Sequence, residues 1–587
     1  MKKALVRILA MIGASVLLSL TVSLVAGAVL RHHVKEGTVL QMDFADGIVE
    51  YYPPSIRDVF VVPPLTVRDV VDALHRASRD DRVTALVARV GDARLGLASL
   101  QEIRDAVVAF RKSGKRTVAL AETFGEFGPG NGAYFLATAF DAIALQPSGD
   151  IGLTGLSSET PFLRGALDKL HVKPRLDHRR EYKSAMNVFT ESGFTAPHRE
   201  ASERVLASQF SQIVRGIAEG RGLSEDAVRA LVAKAPLSAD EALAAKLVDE
   251  VAYRDQVWDG LRGADGKLPP RLGIGSYLAR AGRSDDEGDV VALVYGVGSV
   301  HRGRSSWGML SNEPTMGSDT VAAAFRAAVD DEDVRAILFR VNSPGGSYIA
   351  SDTIWREVLR ARQKGKPVVA SMGDVAGSGG YFVAMGADRI VAQPGTITGS
   401  IGVLAGKMVT GELWSRLGVE WGDLDTGPNA SMWSPTKDYS EAQWQRLQGF
   451  LDRIYADFVD KAADGRALPR ERMQEIARGR IWTGEDAKGL GLVDELGGFP
   501  VALRAVRELA GLAPDAAVRL RVFPRTKSPV ELALARITGE SDDEASVAAP
   551  ADNILAQVRR VPEVRALLSM LDGQGALRMP EPSAAMW

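Results

Sequence analysis

The chain has 587 residues, 46% hydrophobic and 25% charged, with a formal net charge of −3 and no cysteine. That balance is ordinary for globular domains and offers no basic excess to neutralise nucleic-acid phosphates. Without cysteine there is no disulfide, thiolate nucleophile, cysteine zinc site or cysteine-linked lipid anchor.

At the N-terminus, Lys2, Lys3 and Arg7 precede Ile8–Leu30, a run of 23 residues without a charge. A spanning helix needs about 20 apolar residues, whereas a signal-peptide core has about 7–15. Length favours an uncleaved anchor, and the leading positive charges favour a cytoplasmic N-terminus with the remainder outside. Ala26–Ala28 (AGA) keeps a cleaved signal open as the competing reading.

Beyond this segment the chain is written twice. Val83–Val90 (VTALVARV) matches Val334–Val341 (VRAILFRV) at an offset of 251 residues. Gly130–Asp141 matches Gly377–Asp388 at 247, so the first copy carries four extra residues near Thr123–Gly130. Both copies later read LVDE, at Leu247–Glu250 and Leu492–Glu495. Solenoid units run to about 20–50 residues, so this is a duplicated domain. The expected division is a stub and anchor over 1–34, a first repeat over 35–263, a linker over 264–288, a second repeat over 289–510 and an extension over 511–587. Within the extension, Asp542–Ala551 reads as a flexible break before a short helical tail.

In the second copy the elements alternate. Val290–Tyr295 and Ala336–Val341 are short β-branched runs suited to strands buried on both faces, and Ser318–Val329 has helical spacing. Helix Ser351–Gln363, strand Pro367–Ser371, a loop at Gly373–Ser378, a helix from Gly379 and strand Arg389–Ala392 follow. Such alternation predicts an α/β fold with right-handed crossovers.

Two glycine-rich segments follow predicted strands: Asn342-Ser343-Pro344-Gly345-Gly346 and Gly373–Gly380 (GDVAGSGG). Ser378 opens a helix, where unpaired amides favour developing negative charge. The amides of Gly346 and Gly379 together could form an oxyanion hole. Taken singly, each segment reads first as a plain glycine-rich turn or a phosphate cradle. Neither is a P-loop or a dinucleotide fingerprint, and Ala376 breaks the G-x-S-x-G pattern of a nucleophile elbow.

A serine needs a base. All seven histidines lie at or before His301, and His171 and His178 read as surface residues. Lys183, within Arg180–Ala185 (REYKSA), is the better candidate, because aromatic and small neighbours can desolvate its amine and lower its pKa. A solvated lysine in a basic stretch is the plain alternative, and the residues by themselves favour it, since most lysines are exposed. The candidates divide between the copies: Ser378 faces Asn131 in the first, Lys183 faces Ala430 in the second, and Ser343–Gly346 falls on Asp92–Leu95.

The combination of N-terminal anchor, duplication, YKSA in copy one, and NSPGG with GSGGY in copy two resembles the signal peptide peptidase A (protease IV) family. TGSIGV at Thr398–Val403 and WTGEDAKGLGLVDELGG at Trp482–Gly498 extend the match to the long, tandem-domain form of that family. The resemblance implies two tandem α/β domains of the Clp protease/crotonase-like superfamily, preceded by one transmembrane helix. It implies a serine peptidase with Ser378 as nucleophile, Lys183 as general base, Gly346 and Gly379 as oxyanion donors and Ser400 orienting the lysine. It further implies no cofactor or metal, cleavage of remnant signal peptides and other unfolded chains, and a homo-oligomeric, tetrameric ring. Its place would be the bacterial inner membrane, with the catalytic body periplasmic. Two rivals are a ring-forming membrane scaffold that binds peptides without cutting them and a crotonase-like acyl-CoA enzyme. The extracytoplasmic placement argues against the second, since coenzyme A is cytoplasmic. The paired site is expected to form within one chain, because the covalent link gives it a high effective concentration.

Overall fold

A computed structural model describes residues 33–53, 62–283, 287–306 and 314–524. The predicted anchor Ile8–Leu30, the break Asp542–Ala551 and the tail beyond it lie outside these residues. Among the described residues no helix is long and apolar enough to cross a membrane.

Each copy is an α/β unit built on a parallel sheet. The first sheet runs, in spatial order, Glu250–Val251, Ala142–Leu145, Arg116–Ala121, Val83–Arg89, Thr38–Asp43 and Arg271–Gly273. The second runs Ile481–Thr483, Ile397–Gly399, Val368–Gly377, Val334–Ser343, Asp289–Val297 and Val518–Phe523, with Arg389–Ala392 also against Val368–Gly377. The central strands are continuous apolar runs, and Ala336–Val341 are all buried. That is the pattern of strands covered on both faces. One face of the second sheet packs on helices Ser318–Asp330 and Tyr348–Gln363. The other contributes Leu293, Leu338 and Val369 to the core that contains the first copy's Leu40, Leu86 and Ile103. The two copies share one continuous core.

The boundaries differ from the predicted ones at both C-terminal ends. Arg271–Gly273, inside the expected 264–288 linker, is the edge strand beside Thr38–Asp43, and Tyr277 after it is fully buried. Val518–Phe523, inside the expected extension, is the matching edge strand beside Asp289–Val297. Each repeat closes its sheet with a strand that returns beside its first one. Gly373–Ser378, expected as loop, is strand through Gly377, because Val375–Gly377 pair with Ile397–Gly399.

A further sheet joins the copies. Lys173–Arg179 of the first runs antiparallel to Val403–Val409 of the second, with the end pair Arg179 opposite Val403. That end pair fixes where the next residues go: the chain entering Lys183 and the turn leaving Ser400 emerge side by side.

Candidate active site

Lys183 Nζ lies 3.0 Å from Ser378 Oγ, 2.9 Å from Ser400 Oγ and 2.9 Å from the Ser400 carbonyl oxygen. A neutral amine has two N–H groups and one lone pair. Donating both to Ser400 leaves the lone pair for the Ser378 hydroxyl proton. Lys183 is 2% exposed, and burial lowers its pKa from the ordinary lysine value to about 7. No carboxylate opposes that shift. The neutral, proton-accepting form is therefore available near physiological pH.

Ser378 sits between strand Val368–Gly377 and helix Gly379–Ala384 with φ 52° and ψ −118°. A non-glycine residue in this region costs on the order of 1–3 kcal/mol. The strain turns the chain sharply, so that the side chain leaves the sheet at the helix N-terminus. The G-x-S-x-G pattern is absent, yet the backbone is the same strand-to-helix elbow. The Ser378 amide donates to the Gly399 carbonyl at 2.9 Å, and the Ser400 amide donates to the Arg480 carbonyl at 2.7 Å. Both serines are thus held by main chain.

The Ser343–Gly346 turn is fixed from within: Ser343 Oγ donates to the Gly298 carbonyl at 2.6 Å and accepts from the Gly345 amide at 3.2 Å. Gly346 has φ 148°, and a β-carbon there would collide with the Val300 carbonyl oxygen. This close approach brings its nitrogen to 3.1 Å from where a Gly379 β-carbon would stand. The amides of Gly346 and Gly379 have no acceptor among the described residues. Two adjacent donors without acceptors suit an oxyanion.

One wall of the site was not foreseen. Gly479 (φ 79°) packs its backbone on Lys183, and a β-carbon there would stand 2.6 Å from the Lys183 β-carbon and nitrogen. The Gly479 amide donates to the Ile401 carbonyl and the Tyr182 amide to the Arg478 carbonyl, at 2.8 and 3.2 Å. The segment Arg478–Arg480 thereby clamps both the lysine and the Ser400 turn. A glycine between arginines just before the Trp482 motif was its only trace in sequence. Gly479→Val is expected to lower kcat at least tenfold by displacing Lys183, measured on folded protein with a peptide substrate. Unchanged kcat would show that the lysine tolerates the displacement.

The first copy lacks this arrangement. Asn131, opposite Ser378, is buried, donates to the Gly155 carbonyl at 2.7 Å and accepts from the Gly155 amide at 3.0 Å. Gly155 corresponds to Gly402, beside the Lys183 side chain, and Leu153 corresponds to Ser400. A cavity of about 280 Å³ lined by Phe44, Ile48, Asp92, Arg94 and Leu95 lies at the counterpart of the Ser343–Gly346 turn. His171 and His178 are partly exposed, and His171 Nδ1 lies 2.8 Å from Glu412. Among the described residues no group of three or more histidines and carboxylates is placed to hold a metal.

The sequence profile of peptidase family S49 matches residues 109–266 and 360–513. A protein named Protease 4 from Salmonella typhi is 33% identical over 76% of this chain and 72% of its own length. Serine protease SPPA, chloroplastic, from Arabidopsis thaliana is 28% identical over 83% of this chain and 71% of its own. Among solved structures, a ClpP1 mutant from Listeria monocytogenes is 14% identical and covers 36% of this chain and 94% of that one, with a TM-score of 0.23.

Proposed function

The chain belongs to peptidase family S49 and is a serine peptidase, and from that premise we propose that Ser378 is its nucleophile and Lys183 its general base. The observation that carries the assignment is the 3.0 Å approach of a buried amine to a serine on a strained turn. Lys183 takes the Ser378 hydroxyl proton as Oγ attacks the scissile carbonyl carbon. The amides of Gly346 and Gly379 hold the resulting oxyanion, while Ser400 keeps the lysine lone pair on the serine. The lysinium then protonates the departing amine as the C–N bond breaks. Water attacks the acyl ester, gives a proton to Lys183, and the lysine returns it to Ser378.

The substrates are remnant signal peptides and other unfolded peptides; a relative from Enterococcus faecium named putative signal peptide peptidase SppA supports the first. The relatives named above favour peptidase over the scaffold and acyl-CoA alternatives. Ile8–Leu30 acts as an inner-membrane anchor holding the catalytic body on the periplasmic side, in a homo-oligomeric ring of four of these two-domain, Clp protease/crotonase-like chains. Its length and flanking charges support the anchor.

The pH dependence of kcat/KM tests the assignment. The full chain is expected to gain activity as pH rises through about 7, where Lys183 loses its proton. An acid limb at the ordinary lysine value would refute a desolvated base.

A further inference from the structure

The strands that end in the oxyanion turn and in Ser378 fall out of register just before the site. Arg340 pairs with Ser371 and Val341 with Met372, but Ser343 pairs with Ala376. Asn342 alone therefore faces Gly373, Asp374 and Val375. Its Oδ1 accepts from the Val375 amide at 3.0 Å, which closes the bulge. The first copy's equivalent ladder ends at Arg89 and Leu120, the counterparts of Arg340 and Ser371, before the position of the bulge. Bulges beside active sites re-aim side chains.

Its apex is held by the other copy. Helix Leu97–Arg111 of the first copy begins at Gly96, which has no side chain to cap it. Asp374 supplies the cap: Oδ1 accepts from the Ser99 amide at 2.9 Å and Oδ2 from the Ser99 hydroxyl at 2.6 Å. The base of the bulge is pinned from the same side. Arg340, fully buried, donates to Ser371 Oγ at 2.9 Å, to Glu50 at 2.6 Å and to Glu102 at 2.8 Å. Glu50, Ser99 and Glu102 all come from the first copy.

We infer that Asp374 and Ser99 are positioning residues, holding the bulge that advances Ser378 to the oxyanion amides. The first copy then serves the reaction twice: it carries Lys183, and it sets the register of the nucleophile. Ser378 lies four residues beyond Asp374, so release of the apex lets the strand relax and withdraw the serine. This inference rests on the assignment of Ser378 and Lys183.

The test uses the full chain with an apolar fluorogenic peptide. Asp374→Ala is expected to lower kcat by about 10- to 100-fold, the scale of an ångström-sized misplacement, with KM within about twofold and the acid limb still near pH 7. Ser99→Ala is expected to lower kcat several-fold. Asp374→Asn, whose amide oxygen still accepts from the Ser99 amide, should restore kcat to within about threefold of wild type. A kcat within twofold of wild type in both folded alanine variants would overturn the inference. So would an asparagine variant as impaired as the alanine one, or failure of both alanine variants to fold, which would make the contact purely structural. Acylation of wild-type Ser378 by a serine-directed probe separates the failures: an unlabelled wild type removes the site assignment itself.

Discussion

Ser378→Ala is expected to lower kcat by about 10⁶-fold, the loss seen when a peptidase nucleophile is removed outright. No neighbouring group replaces it. The other hydroxyl at the lysine, Ser400, sits on a turn fixed by the Arg480 carbonyl, and its oxygen already receives a lysine N–H. Alanine keeps the β-carbon of serine, so the strain at φ 52° is unchanged, and the variant is expected to fold normally and melt near the wild-type temperature. Peptide turnover together with thermal melting checks both halves. Residual turnover above about 1% of wild type would mean that another residue forms the acyl-enzyme.

Lys183→Met is expected to lower kcat by about 10²–10⁴-fold, the worth of general acid–base catalysis. Its effect on stability has the opposite sign. Burial depresses the folded-state pKa to about 7, below the ordinary lysine value of 10.5. Between those two values the unfolded chain binds the extra proton, so stability rises with pH across that window and is lowered at and below pH 7. Methionine of similar length removes that penalty and should melt no lower than wild type at pH 7. An inactive, undiminished protein distinguishes a lost base from a lost fold. A folded Lys183→Met variant with near-normal activity would place the base elsewhere.

The residues meeting at the site were legible because their chemistry needs particular types at particular offsets. Ser378, Gly379 and Gly346 stand in short motifs after apolar strands, whereas Lys183 rose above an ordinary solvated lysine only through the resemblance of YKSA to the family pattern. Ser400 was visible only through family resemblance, and its carbonyl, as close to the amine as its hydroxyl, was not visible at all. What sequence could not show was pairing between distant segments. Arg271–Gly273 is too short for a periodic signal and becomes a strand only because Thr38–Asp43 offers an open edge. The Gly373–Val375 bulge is bonded by Ser99 and Asn342, and neither is near it in the chain. Gly479 matters through a contact with Lys183, almost 300 residues earlier.

The central proposal is one site per chain, with its base from the first copy and its nucleophile from the second. The most direct measurement is stoichiometric acylation of the full chain by a serine-directed probe across pH 5–10, with the modified residue located by mass spectrometry. One label per chain is predicted, on Ser378, with a rate rising through about pH 7 and collapsing in Lys183→Met. Mixing Lys183→Met and Ser378→Ala chains should not restore it. A label on another serine, an unchanged rate in Lys183→Met, or recovery on mixing would contradict the divided, same-chain site.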